Sequence, residues 1–157
     1  MFLIDGYNLL HALFPGRATP AARESLVGRL EAFCRQEGYR ARVVFDATGG
    51  MRRRESRGAL EVWSVAPGRT ADDELLALLG STQDRTAFTL VTNDRAIAEA
   101  ARKLGTQVLS CREFARLLDE RPAQAEKSDG APPHEVDHWM REFGLQENPD
   151  DPSEEAP

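Results

Sequence analysis

Three apolar runs of strand character in this chain stop in the same way, on an aspartate: Phe2-Leu3-Ile4-Asp5, Val43-Val44-Phe45-Asp46 and Leu90-Val91-Thr92-Asn93-Asp94. Short apolar runs rich in β-branched residues read as strands buried on both faces, and such strands belong to parallel sheets covered by helices. In open α/β sheets ligands bind beyond the carboxyl ends of the strands. A carboxylate recurring at those ends therefore marks both an architecture and the place where chemistry would gather. At the first end Gly6 permits a sharp turn, while Asp5 and Asn8 either face a bound ligand or cap the helical turn that follows.

Between these runs the apolar residues recur at helical spacing. Thr19-Pro20 opens a helix in the order cap then proline, Ala22, Leu26, Leu30, Phe33 and Cys34 form one face, and Gly38 ends it. Thr70 caps a helix with a carboxylate, Asp73, three positions on, and Leu75, Leu76, Leu78 and Leu79 bury it. Asp72 lies on the more inward side of that helix. Ile97, Ala101 and Leu104 carry a further helix to Gly105, and Phe114, Leu117 and Leu118 another over residues 112–118. Residues 60–65 alternate as a strand, residues 107–109 make a short last one, and residues 51–58 read as an arginine-rich loop. Strands alternating with helices predict an α/β fold: a central parallel sheet of about five strands, flanked by helices and joined by right-handed crossovers.

Charge divides the chain. Residues 1–120 carry 17 Lys and Arg against 16 Asp and Glu, whereas residues 121–157 carry 3 against 10, so the net charge of −6 comes from the end. The expected organisation is a domain at 1–120, a linker at 121–133 rich in Pro, Ala and charge, and an acidic tail at 134–157. Within the tail Val136, Trp139, Met140 and Phe143 fall on one face of a short amphipathic helix over 134–144. A lone helix that short does not hold itself in water, so it is expected to dock on its own domain, a second copy or a partner. Alternatively, its charge mimics nucleic acid and covers the basic loop. Cys34 and Cys111 have no CxxC spacing and read as reduced core thiols. No apolar run approaches the ~18 residues of a membrane span, and no basic segment precedes Phe2, so the expectation is a cytoplasmic protein without a membrane partner.

The polar strand ends, Asp5 with Asn8, Asp46, and Asp94 with Asn93, join Asp72 at a helix start. In a doubly wound sheet the first strand and the one leading to Asp94 would be neighbours at the switch point. Carboxylates gathered there repel unless a cation joins them, and an oxygen-only donor set suits hard ions such as Mg²⁺ or Mn²⁺. Each residue also has a plainer use: Asp46 could bond amides of the Gly49-Gly50 turn, and Asp94 could cap the helix after it.

The combination of Ile4-Asp5-Gly6-Tyr7-Asn8, Val44-Phe45-Asp46-Ala47, Thr70-Ala71-Asp72 and Val91-Thr92-Asn93-Asp94-Arg95 resembles the YacP-like branch of the NYN domains, in the PIN-like nuclease superfamily, over about residues 2–119. That resemblance implies a PIN-like, Rossmann-like three-layer fold and a metal-dependent endoribonuclease. Its substrate would be single-stranded or loosely structured RNA, cut in mRNA or other RNA processing or decay, with the ribosome as a further candidate partner. Carried onto this sequence, Asp5, Asp72 and Asp94 become catalytic, metal-binding carboxylates for Mg²⁺ or Mn²⁺. Asp46 joins them at the metal, and Asn8, Asn93 and Asp73 support them. The chain departs from the family pattern in offering Asp72, Asp73 and Glu74 where one acidic helix residue is expected. The implied reaction is in-line attack of a metal-activated water on a phosphodiester, leaving a 5′-phosphate and a 3′-hydroxyl. Arg52, Arg53, Arg54, Arg57 and Arg95 are candidates for holding RNA phosphates, and Tyr7 or Trp63 for stacking a base, although such residues more often solvate a surface or fill a core.

Rival readings are weaker. A non-catalytic PIN-like module would bind RNA or the ribosome without cutting. His134-Glu135-Val136-Asp137-His138 matches the zinc-peptidase HExxH pattern, but sits in the tail with no further histidine downstream. The first strand leads to neither a GxGxxG nor a GxxxxGK[ST] loop. A receiver-type phosphorylation domain would want a lysine where Ser110 and Cys111 stand.

Overall fold

In chain order the elements are β1 (Phe2–Asp5), α1 (Gly6–Leu13), α2 (Pro20–Glu37), β2 (Ala41–Phe45), β3 (Arg53–Arg57), β4 (Leu60–Ser64), α3 (Ala71–Ser81), β5 (Thr89–Val91), α4 (Arg95–Lys103), β6 (Gln107–Leu109) and α5 (Cys111–Asp119). The structure, a computed structural model, describes residues 1–47 and 49–120. The expected linker, acidic tail, tail helix and HExxH match lie outside the described residues.

The strands form one sheet in the order β3-β4-β2-β1-β5-β6. β1 runs parallel to β2 on one side and to β5 on the other, with Ile4 opposite both Val43 and Val91. The chain thus builds outward from β1 through β2 and β4, then returns to place β5 on its other flank. That reversal is the switch point, and it falls between the ends that carry Asp5 and Asp94. Ile4, Val43 and Val91 face a core layer with α1, α2 and α5, built on Leu9, Leu10, Leu26, Leu30 and Phe114. Leu3, Val44 and Leu90 face a second layer with α3 and α4, through Leu75, Leu79, Ile97 and Ala101. Three layers result, as expected for a PIN-like fold.

The sheet has six strands where about five were expected. Residues 51–58 are not a loop: Arg53–Arg57 pairs antiparallel to β4, with Arg53 opposite Ser64 and Arg57 opposite Leu60. No apolar residue occurs in Arg-Arg-Glu-Ser-Arg, so hydrophobic alternation could not announce it. It needs none, because an edge strand buries little of either face, and its charges discourage pairing with another chain. Gly58, at φ 61°, turns it into β4 through a two-residue link.

The helix starts follow their side chains. Thr19 and Thr70 accept from Ala22 N and Asp73 N, and Ser110 accepts from Glu113 N, giving two capping boxes at α3 and α5. Cys34 and Cys111 are buried free thiols. Among the described residues no helix is long and apolar enough to cross a membrane.

Candidate active site at the carboxyl edge of the sheet

Asp5 is the last residue of β1 and the N-cap of α1, which starts at the next residue. Gly6 allows this abrupt change, because Phe45 packs so closely that a Cβ on Gly6 would lie 2.5 Å from its ring. The Asp5 carboxylate is buried, 3% exposed, and three donors aim at it. Asn8 N donates to Oδ1 at 3.2 Å, Asn8 Nδ2 to Oδ2 at 2.6 Å, and the Thr92 hydroxyl to Oδ2 at 3.5 Å. The network continues through Asn8 Oδ1, which accepts from Asn93 N at 3.2 Å, and Asn93 Oδ1, which accepts from Cys111 N at 2.9 Å. The ends of β1 and β5 and the start of α5 are thus held by two asparagines.

Asp94 caps α4, its Oδ1 accepting from Ala96 N at 2.8 Å and Ile97 N at 3.2 Å, while its own N–H donates to Thr92 Oγ1 at 3.1 Å. Its second oxygen has no hydrogen-bond partner among the described residues. Asp46 does not bond the Gly49-Gly50 turn; its Oδ1 accepts from Ala71 N, at the start of α3, at 2.7 Å. The carboxylate of Asp72, half-buried one residue further on, has neither a hydrogen bond nor an ion pair among the described residues. Capping and site roles therefore coexist, since each cap leaves carboxylate lone pairs to spare.

These acids share one electrostatic neighbourhood. Burial first, then repulsion from Asp72 and Asp46, pushes the Asp5 carboxyl up to about 6, against the pull of its Asn8 and Thr92 bonds. Asp72 is also raised, by burial and then by Asp94, Asp46 and Asp73. Among the described residues no cation pairs with Asp5, Asp46, Asp72 or Asp94. Nor do any three His, Cys, Asp or Glu side chains there enclose an ion by themselves. Cys111 is no ligand, because burial and the Asp5 charge push its thiol up to about 12. Mutually repelling, oxygen-only donors in an open arrangement fit a hard ion that keeps several waters and takes one or two carboxylates. They do not fit a closed structural cage.

The remaining candidates are dispersed. Asp73 spends its side chain on the Thr70 amide at 3.2 Å. Arg95 is exposed and borders, with Asn93 and Arg102, a cleft of about 430 Å³ between α4 and α5. The basic segment is split by its own strand geometry, because alternate residues of β3 face opposite sides. Arg54 lies over the Trp63 ring, 3.7 Å from its centre, and Arg52 bonds Glu74 at 2.7 Å, both on the α3 side. Arg53 and Arg57 face α2, where Arg57 is taken by Glu24 at 2.7 Å and Glu55 at 2.8 Å. Trp63 is buried between Arg42 and Arg54 and acts in packing, whereas Tyr7 packs edge-on against Phe45 and also lines a cavity beside the start of α2.

Two residues carry roles that sequence reasoning did not assign. Thr92, 2% exposed, bridges Asp5 and Asp94 through one hydroxyl. Its signal was a hydroxyl closing an apolar strand just before Asn-Asp. Glu74, 6% exposed, pairs with Arg52 and Arg69, fastening the approach to β3 onto α3. Position 74 is on the helix stripe of Ala71, Leu75 and Leu79, so its burial was readable although its partners were not.

The family model described as the YacP-like NYN domain matches residues 2–147, beyond the boundary expected at 120. Solved structures that share the fold include two forms of one protein. Rae1 (YacP) from Bacillus subtilis is 24% identical, with a TM-score of 0.65 over 92% of this chain and 84% of that one. A mutant form of the same protein is 22% identical, with a TM-score of 0.65 over 89% of this chain and 90% of that one. Among curated proteins, none matches.

Proposed function

This chain belongs to the YacP-like NYN domain family, within the PIN-like nuclease superfamily, and from that premise we propose that it is a metal-dependent endoribonuclease. The observation that carries this reading is the set of four carboxylates, Asp5, Asp46, Asp72 and Asp94, gathered at the switch point of the sheet with no cationic side chain paired to them among the described residues. Asp5, Asp72 and Asp94 would line the site of Mg²⁺ or Mn²⁺, one or two of them binding the ion directly and the others through its waters, with Asp46 at the margin because one of its oxygens already serves α3. A divalent ion bound there supplies a water of lowered pKa and neutralises charge on the phosphate oxygens. In the hydrolysis a water oxygen joins phosphorus and the bond from phosphorus to the 3′-oxygen breaks, leaving a 5′-phosphate and a 3′-hydroxyl.

The chain's own residues orient this chemistry. Asn8 fixes both oxygens of Asp5, Thr92 ties Asp5 to the turn before Asp94, and Asn93 anchors that turn to α5. Arg52 and Arg54, on the same side of the sheet as α3, and Arg95, at the start of α4, would receive the flanking RNA phosphates. Unpaired RNA in a cytoplasmic setting is the substrate class this reading favours, with the ribosome as a candidate partner that could present it.

The test is cleavage of a mixed, end-labelled RNA in Mn²⁺, Mg²⁺ or EDTA by wild type, Asp5→Asn and Asp94→Asn. Metal-dependent cutting lost in both variants is expected. RNA bound but uncut under every condition would overturn the enzyme reading in favour of a non-catalytic RNA- or ribosome-binding module.

A further inference from the structure

On the face of the sheet opposite the carboxylates, Arg23 stands between two cavities. Its guanidinium lies over the Phe45 ring, 4.2 Å from the centre, and donates to Ser64 Oγ at 2.9 Å. Among the described residues no carboxylate pairs with it, whereas Arg57 nearby is held by both Glu24 and Glu55. A partly buried arginine fixed by an aromatic face and a hydroxyl keeps its fork of donors for an anion.

The two cavities differ in character. One, of about 270 Å³, is lined by Tyr7, Leu10, Ala18, Thr19, Pro20 and Arg23, and is the more apolar. The other, of about 410 Å³, is lined by Arg23 again with Arg53 and Ser64, and by Arg57 with the Glu24 and Glu55 carboxylates that hold it. Arg53, like Arg23, has no carboxylate partner among the described residues. The smaller cavity offers an aromatic ring and aliphatic walls to a flat, largely apolar group. The larger carries three arginines against two glutamates, and in it Arg23 and Arg53 make no ion pair among the described residues. Phe45 connects this region to the site, since it touches Gly6, Tyr7 and Arg23 and immediately precedes Asp46.

We propose that Arg23 divides a one-nucleotide subsite of the RNA, the nucleobase entering the Tyr7 cavity and the adjoining phosphate bound by Arg23 and Arg53. The inference rests on the RNA reading above and adds to it the direction of the strand: RNA crosses the carboxyl edge of the sheet, from the carboxylates on the α3 side to Arg23 on the α2 side. It also supplies a reason for selecting unpaired RNA, because a base held in a stack cannot turn into the cavity.

The test uses the full chain in EDTA, with cleavage off, and reads fluorescence anisotropy of a short RNA as a single strand and as a duplex of the same sequence. Wild type is expected to prefer the single strand. Arg23→Gln should weaken single-strand binding about tenfold and reduce the salt dependence by about one phosphate contact, while Arg23→Lys, which keeps the charge but not the stacked fork, keeps the salt dependence and loses only part of the affinity. An abasic nucleotide walked along the RNA should cost affinity at one position in wild type and not in Tyr7→Ala. Equal binding of duplex and single strand overturns the subsite without needing any variant, and so does equal loss in Arg23→Gln and Arg23→Lys. Wild-type affinity in Arg23→Gln overturns it while leaving the nuclease reading intact. Wild type that binds no RNA in EDTA overturns the subsite, and the metal-dependent cleavage assay above decides the nuclease reading separately.

Discussion

Oδ1 of Asp46 accepts the amide hydrogen of Ala71 at 2.7 Å, tying the end of β2 to the first residue of α3. Without it, that amide would be one of the unsatisfied donors at a helix start. The next residue is Asp72, so the bond that completes the helix also sets where this carboxylate stands. Asp46→Ala should lower the urea-unfolding free energy by about 1 kcal/mol and cut the cleavage rate strongly. Asp46→Asn keeps an acceptor oxygen, and should retain most of the stability and more of the rate. If Asp46→Asn instead removes cleavage as completely as Asp5→Asn at unchanged stability, Asp46 serves as a direct ligand.

Asp5 makes stability depend on pH. Its folded carboxyl titrates at about 6, above the ordinary value of 3.8, so the fold favours the protonated form. That contribution is fully present below the unfolded value and is lost as the pH rises through about 6. The ceiling is on the order of 3 kcal/mol at roughly 1.4 kcal/mol per pKa unit. In EDTA, the stability of Asp5→Asn relative to wild type should therefore rise between pH 4 and 7 and then level off. Thermal melts across that range check the slope, which is independent of any constant cost of the amide. A difference that stays flat with pH would show that Asp5 is not the group under strain.

Gly6 has no room for a side chain. A Cβ there would meet the Phe45 ring at 2.5 Å, in a core where Phe45 is fully buried and also carries Tyr7 and Arg23 on its faces. Gly6→Ala should cost about 1–3 kcal/mol of overpacking and shift the turn that presents Asp5 and Asn8. Urea unfolding should show the loss. In the protein that remains folded, cleavage should fall further than the folded fraction does.

The strand-end aspartates made most of the architecture legible. Buried parallel strands must be continuously apolar, so their polar ends stand out, and the neighbouring of β1 and β5 follows from doubly wound topology. The caps at Thr19 and Thr70 were legible for a similar reason, each being a local hydrogen bond within three residues, and Ser110 makes the same bond at α5. What escaped was non-local or non-hydrophobic. β3 is an all-polar edge strand, so its existence rests on pairing with β4. Missing it concealed that one run of arginines serves two faces. Asp46 bonding Ala71, and Glu74 gathering Arg52 and Arg69, join positions distant in sequence that no periodicity connects.

Asn8 separates Asp5 from bare repulsion, giving it an N–H of the side chain at 2.6 Å while its own carbonyl oxygen receives Asn93 N at 3.2 Å. Asn8→Asp preserves an acceptor for Asn93 but replaces the donor to Asp5 with a second carboxylate at contact distance. Two carboxylates so placed cannot both ionise cheaply, so one apparent pKa must rise steeply. Groups raised in this way contribute stability at low pH and lose it as the pH increases. Metal-free Asn8→Asp should therefore be less stable than wild type by about 2–3 kcal/mol at pH 7.5 and approach wild type below about pH 5. Added Mn²⁺ should restore part of the loss at pH 7.5, because a cation bound only by the folded state stabilises it by mass action. Thermal melts with EDTA and with Mn²⁺ at both pH values distinguish the cases. A deficit equal at pH 5 and pH 7.5 would mean that Asn8 acts through packing, and that its amide does not govern the charge of Asp5.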